Sequence, residues 1–179
     1  MDEREAERLI AAAVAPGPGT WADLGAGEGT FTRALAARLG HGARIYAVDR
    51  DARALKALER ARASLVADVV TVRADLARDL ELPGAEPATL DGLLLANALH
   101  FLPDTPRALA RLTRWLRPGG SAVLIEYDQR TSSRWVPYPV DADGLPALFE
   151  AATLTPPQIV ARIGSAFGGE MYVAVGRKR

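Results

Sequence analysis

Three aspartates stand where short apolar runs end, and this placement would let them bind one ligand together. Asp23, Asp49 and Asp75 each close a run of residues typical of a β-strand. In a doubly wound sheet the carboxyl ends of neighbouring strands line one crevice, and ligands bind there. One such aspartate alone is as often a turn residue or a helix cap. Three at successive strand ends predict a ligand site.

Asp49 has the spacing of a ribose-binding acid, because it lies 24 residues after Gly25. A carboxylate presents two acceptor oxygens, which suits the two hydroxyls of a ribose. Asp75 would accept a hydrogen bond from an adenine amino group, and the Leu76 backbone would meet the ring nitrogen. Asp23 would stand near a cationic end of the ligand. The pattern indicates an adenosine-type ligand.

The glycines of the loop distinguish between two classes of cofactor. Gly25, Gly27 and Gly29 read G-x-G-x-G, with Glu28 between the last two, whereas dinucleotide enzymes use G-x-G-x-x-G. Glycine lets the backbone turn tightly and lie bare against a ligand, and the helix behind it offers N–H groups. Glu28 would repel a pyrophosphate but complements a sulfonium and an ammonium. We therefore predict S-adenosylmethionine, with S-adenosylhomocysteine as product, rather than NAD.

In their order along the chain these residues resemble the class I S-adenosylmethionine-dependent methyltransferases, especially the small-molecule group similar to the ubiquinone/menaquinone C-methyltransferases. The segments that carry the resemblance are 23–29, 48–49, 74–76, 91–102 and 116–120, within about residues 15–179. The resemblance implies sheet order 3-2-1-4-5-7-6 with strand 7 antiparallel, and residues 96–97 beside the methionine part of the cofactor. The predicted cofactor-binding residues are Asp23, Gly25, Ala26, Gly27, Asp49, Arg50, Asp75, Leu76 and Asn97.

Helical and strand periods alternate along the chain, which predicts an α/β fold with a doubly wound, mostly parallel sheet and helices on both faces. The predicted strands are 20–24, 44–48, 69–72, 90–95, 122–127, 158–166 and 170–176, with a hairpin turn at 168–169. The predicted helices are 2–15, 28–39, a segment marked by Leu55, Leu58 and Leu65, a segment from Thr105 to a break at 118–120, and 145–152. Thr105 is expected to cap its helix, with Pro106 at the first helical position. We expect one domain over residues 1–179.

Composition limits the partners. The chain has 22 Lys and Arg against 22 Asp and Glu, so it lacks the basic footprint of a protein that binds nucleic acid or an anionic membrane. It has no cysteine, which excludes disulfides and thiolate metal sites, and no metal is expected. The charged N-terminus does not read as a secretory signal, and no apolar stretch approaches the roughly 20 residues that cross a bilayer. We expect a cytoplasmic protein with a small-molecule substrate and no membrane insertion.

His100, directly after the fourth predicted strand, is the candidate catalytic residue. Histidine titrates near neutrality and would act as a general base if the acceptor arrives protonated. Two other roles stay open for His100, lining of the pocket wall and a purely structural one. His41, in a Gly-His-Gly turn, is expected to be an exposed loop residue.

The loop after the fifth predicted strand is the expected acceptor side. Trp135 and Tyr138 would stack on a flat substrate, and Arg130 or Arg134 would pair with a carboxylate or phosphate. Alternatively, the aromatic side chains anchor the loop and the arginines are solvated. Only about fifteen residues precede the first strand. A cap over the substrate is therefore short or comes from a second subunit, as in a homodimer.

Two other functions compete with methyl transfer to a small molecule. An NAD(P)-dependent oxidoreductase is disfavoured by the glycine spacing and by the lack of a Tyr-x-x-x-Lys pair, since the two lysines are Lys56 and Lys178. A non-catalytic partner protein that binds S-adenosylmethionine would keep the fold without the reaction. The full set of cofactor acids argues against that alternative.

Overall fold

One seven-stranded sheet organises the chain in the computed structural model, which describes residues 2–165 and 168–179. The strands are β1 (Thr20–Leu24), β2 (Arg44–Asp49), β3 (Asp68–Arg73), β4 (Leu90–Ala96), β5 (Leu116–Tyr127), β6 (Gln158–Gly164) and β7 (Glu170–Arg177). Their order is β3-β2-β1-β4-β5-β7-β6. The first five strands pair in parallel, and β7 lies antiparallel between β5 and β6. The predicted fold class, strand order and antiparallel strand are confirmed.

Helices cover both faces of this sheet. They are α1 (Glu3–Ile10), α2 (Thr30–Leu39), α3 (Ala52–Ala61), α4 (Thr105–Leu112) and α5 (Leu145–Ala151). Successive side chains of a strand point to opposite faces, and the leucines of β4 show how this builds two cores. Leu93 and Leu95 join the apolar cluster that contains Leu109 of α4, whereas Leu94 joins the cluster that contains Leu35 of α2.

Several predicted helix boundaries were wrong. Helix α1 ends at Ile10 rather than at 15, and α2 begins at Thr30 rather than at 28, because Gly29 at its N-cap has a φ of 89° that a helix does not continue. Helix α3 ends before a short 3₁₀ turn, so Leu65 lies outside it. Helix α5 ends at Ala151, one residue before the predicted end.

The region around α4 and β5 departs most from the prediction. Asp104, not Thr105, caps α4, because its side chain accepts a hydrogen bond from the Arg107 N–H. Leu116 does not belong to this helix, since it begins β5 and pairs with Leu90. The segment 118–120 thus lies within β5, at a register shift, rather than breaking a helix.

The C-terminal strands form the predicted hairpin. The Ser165 N–H donates to the Gly169 carbonyl and the Gly168 N–H donates to the Ser165 carbonyl, and Gly168 has a φ of 81°. Strand β6 ends at Gly164, and residue 166, the predicted end of the strand, lies outside the described residues. In the described part of the chain, none of the helices combines the length and the apolar character that a bilayer span requires.

Candidate functional site

A cavity of about 560 Å³ lies at the carboxyl ends of β1 to β4, and we call it the strand-end cavity. Seven of the nine predicted cofactor-binding residues line it: Gly25, Gly27, Asp49, Arg50, Asp75, Leu76 and Asn97. Its other lining residues include Asp51 and Phe101. Parallel strands explain this convergence, because their C-terminal ends share one edge of the sheet.

The glycine loop lies against β2 and presents bare backbone to the strand-end cavity. The Gly25 and Ala26 N–H groups donate to the Val48 carbonyl oxygen, at 2.8 and 3.0 Å. Gly25 has a φ of 88°, and a Cβ atom there would meet the Ala98 Cβ at 2.5 Å. Gly27 has a φ of 54° and nothing within 4 Å of its Cβ position. The first glycine is required by close packing and the second leaves room in the cavity.

Asp49 joins the loop to the floor of the cavity. Its Oδ2 accepts from the Gly27 N–H at 2.8 Å, and its Oδ1 accepts from the Asp51 N–H at 2.8 Å. Each carboxylate oxygen has a second acceptor site, so both can still receive a hydroxyl proton. Asp75, at the far side, accepts from the Ala77 N–H at 3.0 Å. These carboxylates are held by backbone groups and keep acceptor capacity toward the cavity.

The other two predicted cofactor-binding residues do not line the strand-end cavity. Ala26 belongs to the glycine loop, and its side chain is buried. Asp23 lies inside β1 with 1% exposure, and it accepts a hydrogen bond from the Thr32 hydroxyl at 2.6 Å. Burial raises the pKa of Asp23 to about 7; the hydrogen bond from Thr32 opposes this shift, and the charge of Asp49 adds to it. Asp23 is therefore not exposed to the cavity, and the prediction that it follows the first strand was wrong, because β1 continues to Leu24.

A second cavity of about 590 Å³ adjoins the first, and we call it the aromatic cavity. Its lining residues are Asn97, His100, Phe101, Tyr127, Arg130, Thr131, Ser133, Trp135 and Val136. Asn97 and Phe101 line both cavities. These two residues are thus the common boundary of the two cavities.

Asn97 is strained and incompletely hydrogen-bonded at this junction. Its φ is 51°, in the left-handed region. Its side-chain Oδ1 is buried without a hydrogen-bond partner in the described part of the chain. A buried acceptor without a donor is costly, so a ligand N–H at the junction would stabilise it. An ammonium-bearing ligand fits this requirement.

His100 lines the aromatic cavity and forms a buried pair with Glu126, which is not among the described lining residues. His100 Nδ1 lies 2.6 Å from Glu126 Oε2, and the two side chains are 2% and 1% exposed. The other oxygen, Oε1, accepts from the backbone N–H groups of Leu99 and His100. Because Glu126 engages Nδ1, Nε2 is the ring nitrogen that remains for a molecule in the cavity.

The sequence reasoning missed Glu126. The available signal was its position as an acid in the apolar run Ala122–Tyr127 of β5, where a charge must find a partner.

The loop beyond β5 divides into residues that line the aromatic cavity and residues that do not. Trp135 and Arg130 line it, whereas Tyr138 and Arg134 are outside its lining. Tyr138 instead donates its backbone N–H to the His100 carbonyl at 3.0 Å. Arg134 Cζ lies 4.4 Å from the centroid of the Trp135 ring.

His41 is exposed in its turn, as predicted. Among the described residues there is no cluster of three or more metal-ligating side chains.

Comparison with known proteins identifies the family. The profile of the family described as "Methyltransferase domain" matches residues 22–122, more than half of the chain. The chain is 36% identical over 137 aligned positions to the biotin biosynthesis bifunctional protein BioCD of Bordetella avium, which covers 74% of this chain and 27% of that protein. The chain thus spans about a quarter of that relative's length.

Two further similarities extend over most of the chain. The 2-phytyl-1,4-naphtoquinone methyltransferase of Thermosynechococcus vestitus is 29% identical, covering 91% of this chain and 82% of that protein. The crystal structure of the Burkholderia thailandensis 1,6-didemethyltoxoflavin-N1-methyltransferase, with its substrate and S-adenosylhomocysteine bound, has a TM-score of 0.77 at 24% identity and covers 98% of this chain and 77% of that one. The predicted resemblance to the quinone methyltransferase group is confirmed. The chain belongs to the methyltransferase domain family and is a class I S-adenosylmethionine-dependent methyltransferase.

Proposed function

We propose that this methyltransferase transfers the methyl group of S-adenosylmethionine, bound in the strand-end cavity, to a small molecule in the aromatic cavity. The observation that carries the proposal is the junction of the two cavities at Asn97 and Phe101. Methyl transfer needs donor and acceptor held in line and in contact, with water kept out. Two adjoining cavities with shared walls meet this need.

We propose that the strand-end acids hold the adenosine part of the donor. Asp49 would accept the ribose hydroxyls, for which both of its oxygens retain acceptor sites. Asp75 and Leu76 would contact the adenine ring, and Arg50 lines the same wall. Bare backbone at Gly25 and Gly27 would let the ligand lie close.

The cationic end of the donor would lie above Asp23 and beside Asn97. The carboxyl of Asp23 is buried beneath the loop, and a ligand cation nearby would favour its ionised form. The Asn97 Oδ1 would receive a hydrogen bond from the ammonium group. A cationic ligand would thus stabilise the carboxylate of Asp23 and supply a donor to the Asn97 Oδ1.

His100 is proposed as the general base. When bound, S-adenosylmethionine supplies an electrophilic methyl carbon, which accepts the acceptor's electron pair as the carbon–sulfur bond breaks and S-adenosylhomocysteine leaves. His100 Nε2 would take the proton that the acceptor loses, and Glu126 would hold the ring in position through Nδ1. Glu126 is thus a positioning residue, which would also stabilise the imidazolium that forms.

The acceptor is proposed to be a small ring compound with an ionisable O–H, N–H or C–H group. Phe101, Tyr127 and Trp135 supply aromatic surface for a flat molecule. Two similar proteins are named for ring compounds, a phytyl naphthoquinone and 1,6-didemethyltoxoflavin. These names support a ring-containing acceptor.

We also propose a cytoplasmic homodimer without a nucleic-acid partner. The zero net charge supports the absence of a nucleic-acid role. Phe101 and Trp135 are exposed large apolar side chains at the mouth of the aromatic cavity, and a second copy would cover them. Light scattering tests the dimer: a monomeric mass at micromolar concentration would contradict it.

The experiment that tests the proposed function measures formation of S-adenosylhomocysteine from S-adenosylmethionine with a panel of phenols, enols and ring N–H compounds. Stimulated turnover that His100→Gln abolishes, with donor affinity retained, would support the reaction and the role of His100. His41→Gln is the matched control, since His41 is exposed in a loop. Unchanged turnover in the His100→Gln variant would remove His100 from the mechanism. If none of the compounds in the panel is methylated, this acceptor class is contradicted.

A further inference from the structure

The wall of the aromatic cavity combines aromatic surface with a single guanidinium. Its nine described lining residues include Arg130 but no aspartate or glutamate. We propose that the acceptor is a planar carboxylate whose carboxylate group binds Arg130; this proposal rests on the proposed function. An anion in such a cavity gains a charge-assisted hydrogen bond without facing an acid in the wall.

Arg130 is held in place for this role. Its Nη2 donates to the Gly168 carbonyl at 2.6 Å, and its Cζ lies 5.1 Å from the centroid of the Tyr127 ring. The side chain is half-buried. A guanidinium that is already ordered loses less conformational freedom when it binds, and partial removal from water strengthens its attraction for an anion.

Arg130 and the proposed base both lie close to the Tyr127 ring. The centroid of the Tyr127 ring is 5.9 Å from the centroid of His100 and 5.1 Å from Arg130 Cζ. One flat acceptor that lies against Tyr127 can therefore place a carboxylate at Arg130 and a reacting group at His100. Trp135, which is 67% exposed, offers a further ring surface to the same molecule.

The lining favours a carboxylate over a phosphate. A single guanidinium matches one negative charge and binds the two oxygens of a carboxylate in a planar fork. The other polar side chains in the lining include the hydroxyls of Thr131 and Ser133 and the amide of Asn97, and none of them is a second guanidinium or an ammonium. A dianionic phosphate would be left with one charge uncompensated in a largely apolar wall.

Arg134 is the matched control for Arg130. It lies four residues further along the same loop and also contacts an aromatic ring, that of Trp135. It is exposed, and it is outside the lining of the aromatic cavity. A general loss of positive charge from the loop is therefore the same in both variants, and only the loss of Arg130 removes charge from the cavity.

The test measures binding rather than turnover, because it needs no knowledge of the natural acceptor. Calorimetry on protein saturated with S-adenosylhomocysteine compares 2-naphthoate with 2-naphthamide, which has the same shape but no charge. We expect the carboxylate to bind about tenfold more tightly, the increment of one charge-assisted hydrogen bond. Arg130→Gln should remove this preference, Arg130→Lys should keep part of it, and Arg134→Gln should leave it unchanged.

Three results would overturn the proposal: equal affinity for the two probes, a preference that survives in Arg130→Gln, or binding of neither probe to the wild-type protein. The Arg130→Lys variant separates charge recognition from a purely structural role, because a structural loss would lower the affinity for both probes alike. The saturation step separates this proposal from the proposed function. Protein that does not bind S-adenosylhomocysteine contradicts the latter, whereas protein that binds it without a carboxylate preference contradicts only the former.

Discussion

The two adjoining cavities differ in charge. The strand-end cavity has three acids in its lining, Asp49, Asp51 and Asp75, with Arg50 as its one basic residue. The aromatic cavity has no acid among its described lining residues and contains Arg130 and His100. One cavity therefore suits a cationic ligand and the other a neutral or anionic one.

This difference has a consequence for the proposed reaction. As the methyl group moves, the sulfonium loses its positive charge and the deprotonated reacting group of the acceptor loses its negative charge, while the carboxylate at Arg130 keeps its own, so a water-excluding junction favours transfer. The junction residues Asn97 and Phe101 carry no net charge. The charges that attract the two ligands thus lie in separate cavities, and the residues at the junction between the cavities carry no net charge.

The largest effect is expected from Gly25→Ala, which breaks the strand-end cavity and leaves the aromatic one. The added Cβ would lie 2.5 Å from the Ala98 Cβ at a φ of 88°. We expect the free energy of unfolding to fall by about 3 kcal/mol, from the left-handed backbone and the overlap together. Binding of S-adenosylhomocysteine should also be lost. Urea denaturation and calorimetry measure the two effects.

The matched control is Gly27→Ala. The added Cβ would have nothing within 4 Å, and the backbone φ at this position is 54°. The variant's unfolding free energy should fall by only about 1 kcal/mol. Equal destabilisation by the two substitutions would show that the close packing at Gly25 has no special role.

The next effect comes from the buried pair in the aromatic cavity. His100→Gln should lower the methyl-transfer rate about 100-fold, the usual contribution of a general base. Glu126→Gln should lower the rate less, because the His100 ring loses the carboxylate that holds its Nδ1 at 2.6 Å. Donor affinity should stay unchanged in both. A Glu126→Gln variant with the wild-type rate would contradict the positioning role.

A smaller effect concerns the pH dependence of stability beneath the strand-end cavity. The folded protein holds the Asp23 proton up to a pKa of about 7, whereas the unfolded chain releases it near pH 4. Stability from this group is therefore present at low pH and lost as the pH rises toward 7. Relative to Asp23→Asn, the wild type should lose about 2 kcal/mol of unfolding free energy between pH 5 and pH 7.

The Asp23→Asn variant keeps an oxygen acceptor for the Thr32 hydroxyl, so the comparison isolates the charge. Urea denaturation at the two pH values makes the measurement. Parallel pH profiles for the two proteins would mean that Asp23 ionises normally in the fold.

The smallest effect is expected at the mouth of the aromatic cavity. Trp135→Ala should weaken 2-naphthoate binding several-fold, because an exposed ring contributes on the order of 1 kcal/mol of stacking. Tyr138→Ala, outside the cavity lining, should have no effect on this affinity. Calorimetry measures the 2-naphthoate affinity of both variants. If Tyr138→Ala weakened 2-naphthoate binding more than Trp135→Ala, the assignment of Trp135 rather than Tyr138 to the cavity lining would be contradicted.

The strand-end cavity was largely predictable from the sequence, whereas for the aromatic cavity the sequence indicated His100, Arg130 and Trp135 but not Glu126. Asp49 and Asp75 lie at the ends of parallel strands, and local periodicity locates those ends. The pair of His100 and Glu126 depends instead on the contact of two segments 26 residues apart in the chain. No local pattern reports such a contact, because β5 must first pair with β4.

The errors in element boundaries have the same origin. Asp104 and Thr105 are both good cap residues, and the choice between them follows from the left-handed φ of 52° that Asp104 adopts. Leu116 has helical spacing from Leu112, yet strand pairing with Leu90 decides its conformation. A tertiary contact overrides local preference at Leu116, whereas the cap at Asp104 is set by local backbone geometry.

Carboxylates at the strand ends are proposed to bind an adenosyl donor, which carries no pyrophosphate. Calorimetric titration of S-adenosylhomocysteine and of NADH into the wild type and Asp49→Asn tests it, with Asp68→Asn, an acid exposed in an ion pair with Arg44, as the control. We predict one S-adenosylhomocysteine site per chain, lost in Asp49→Asn and kept in Asp68→Asn, and no binding of NADH. Binding of NADH, or S-adenosylhomocysteine affinity unchanged in Asp49→Asn, would contradict it.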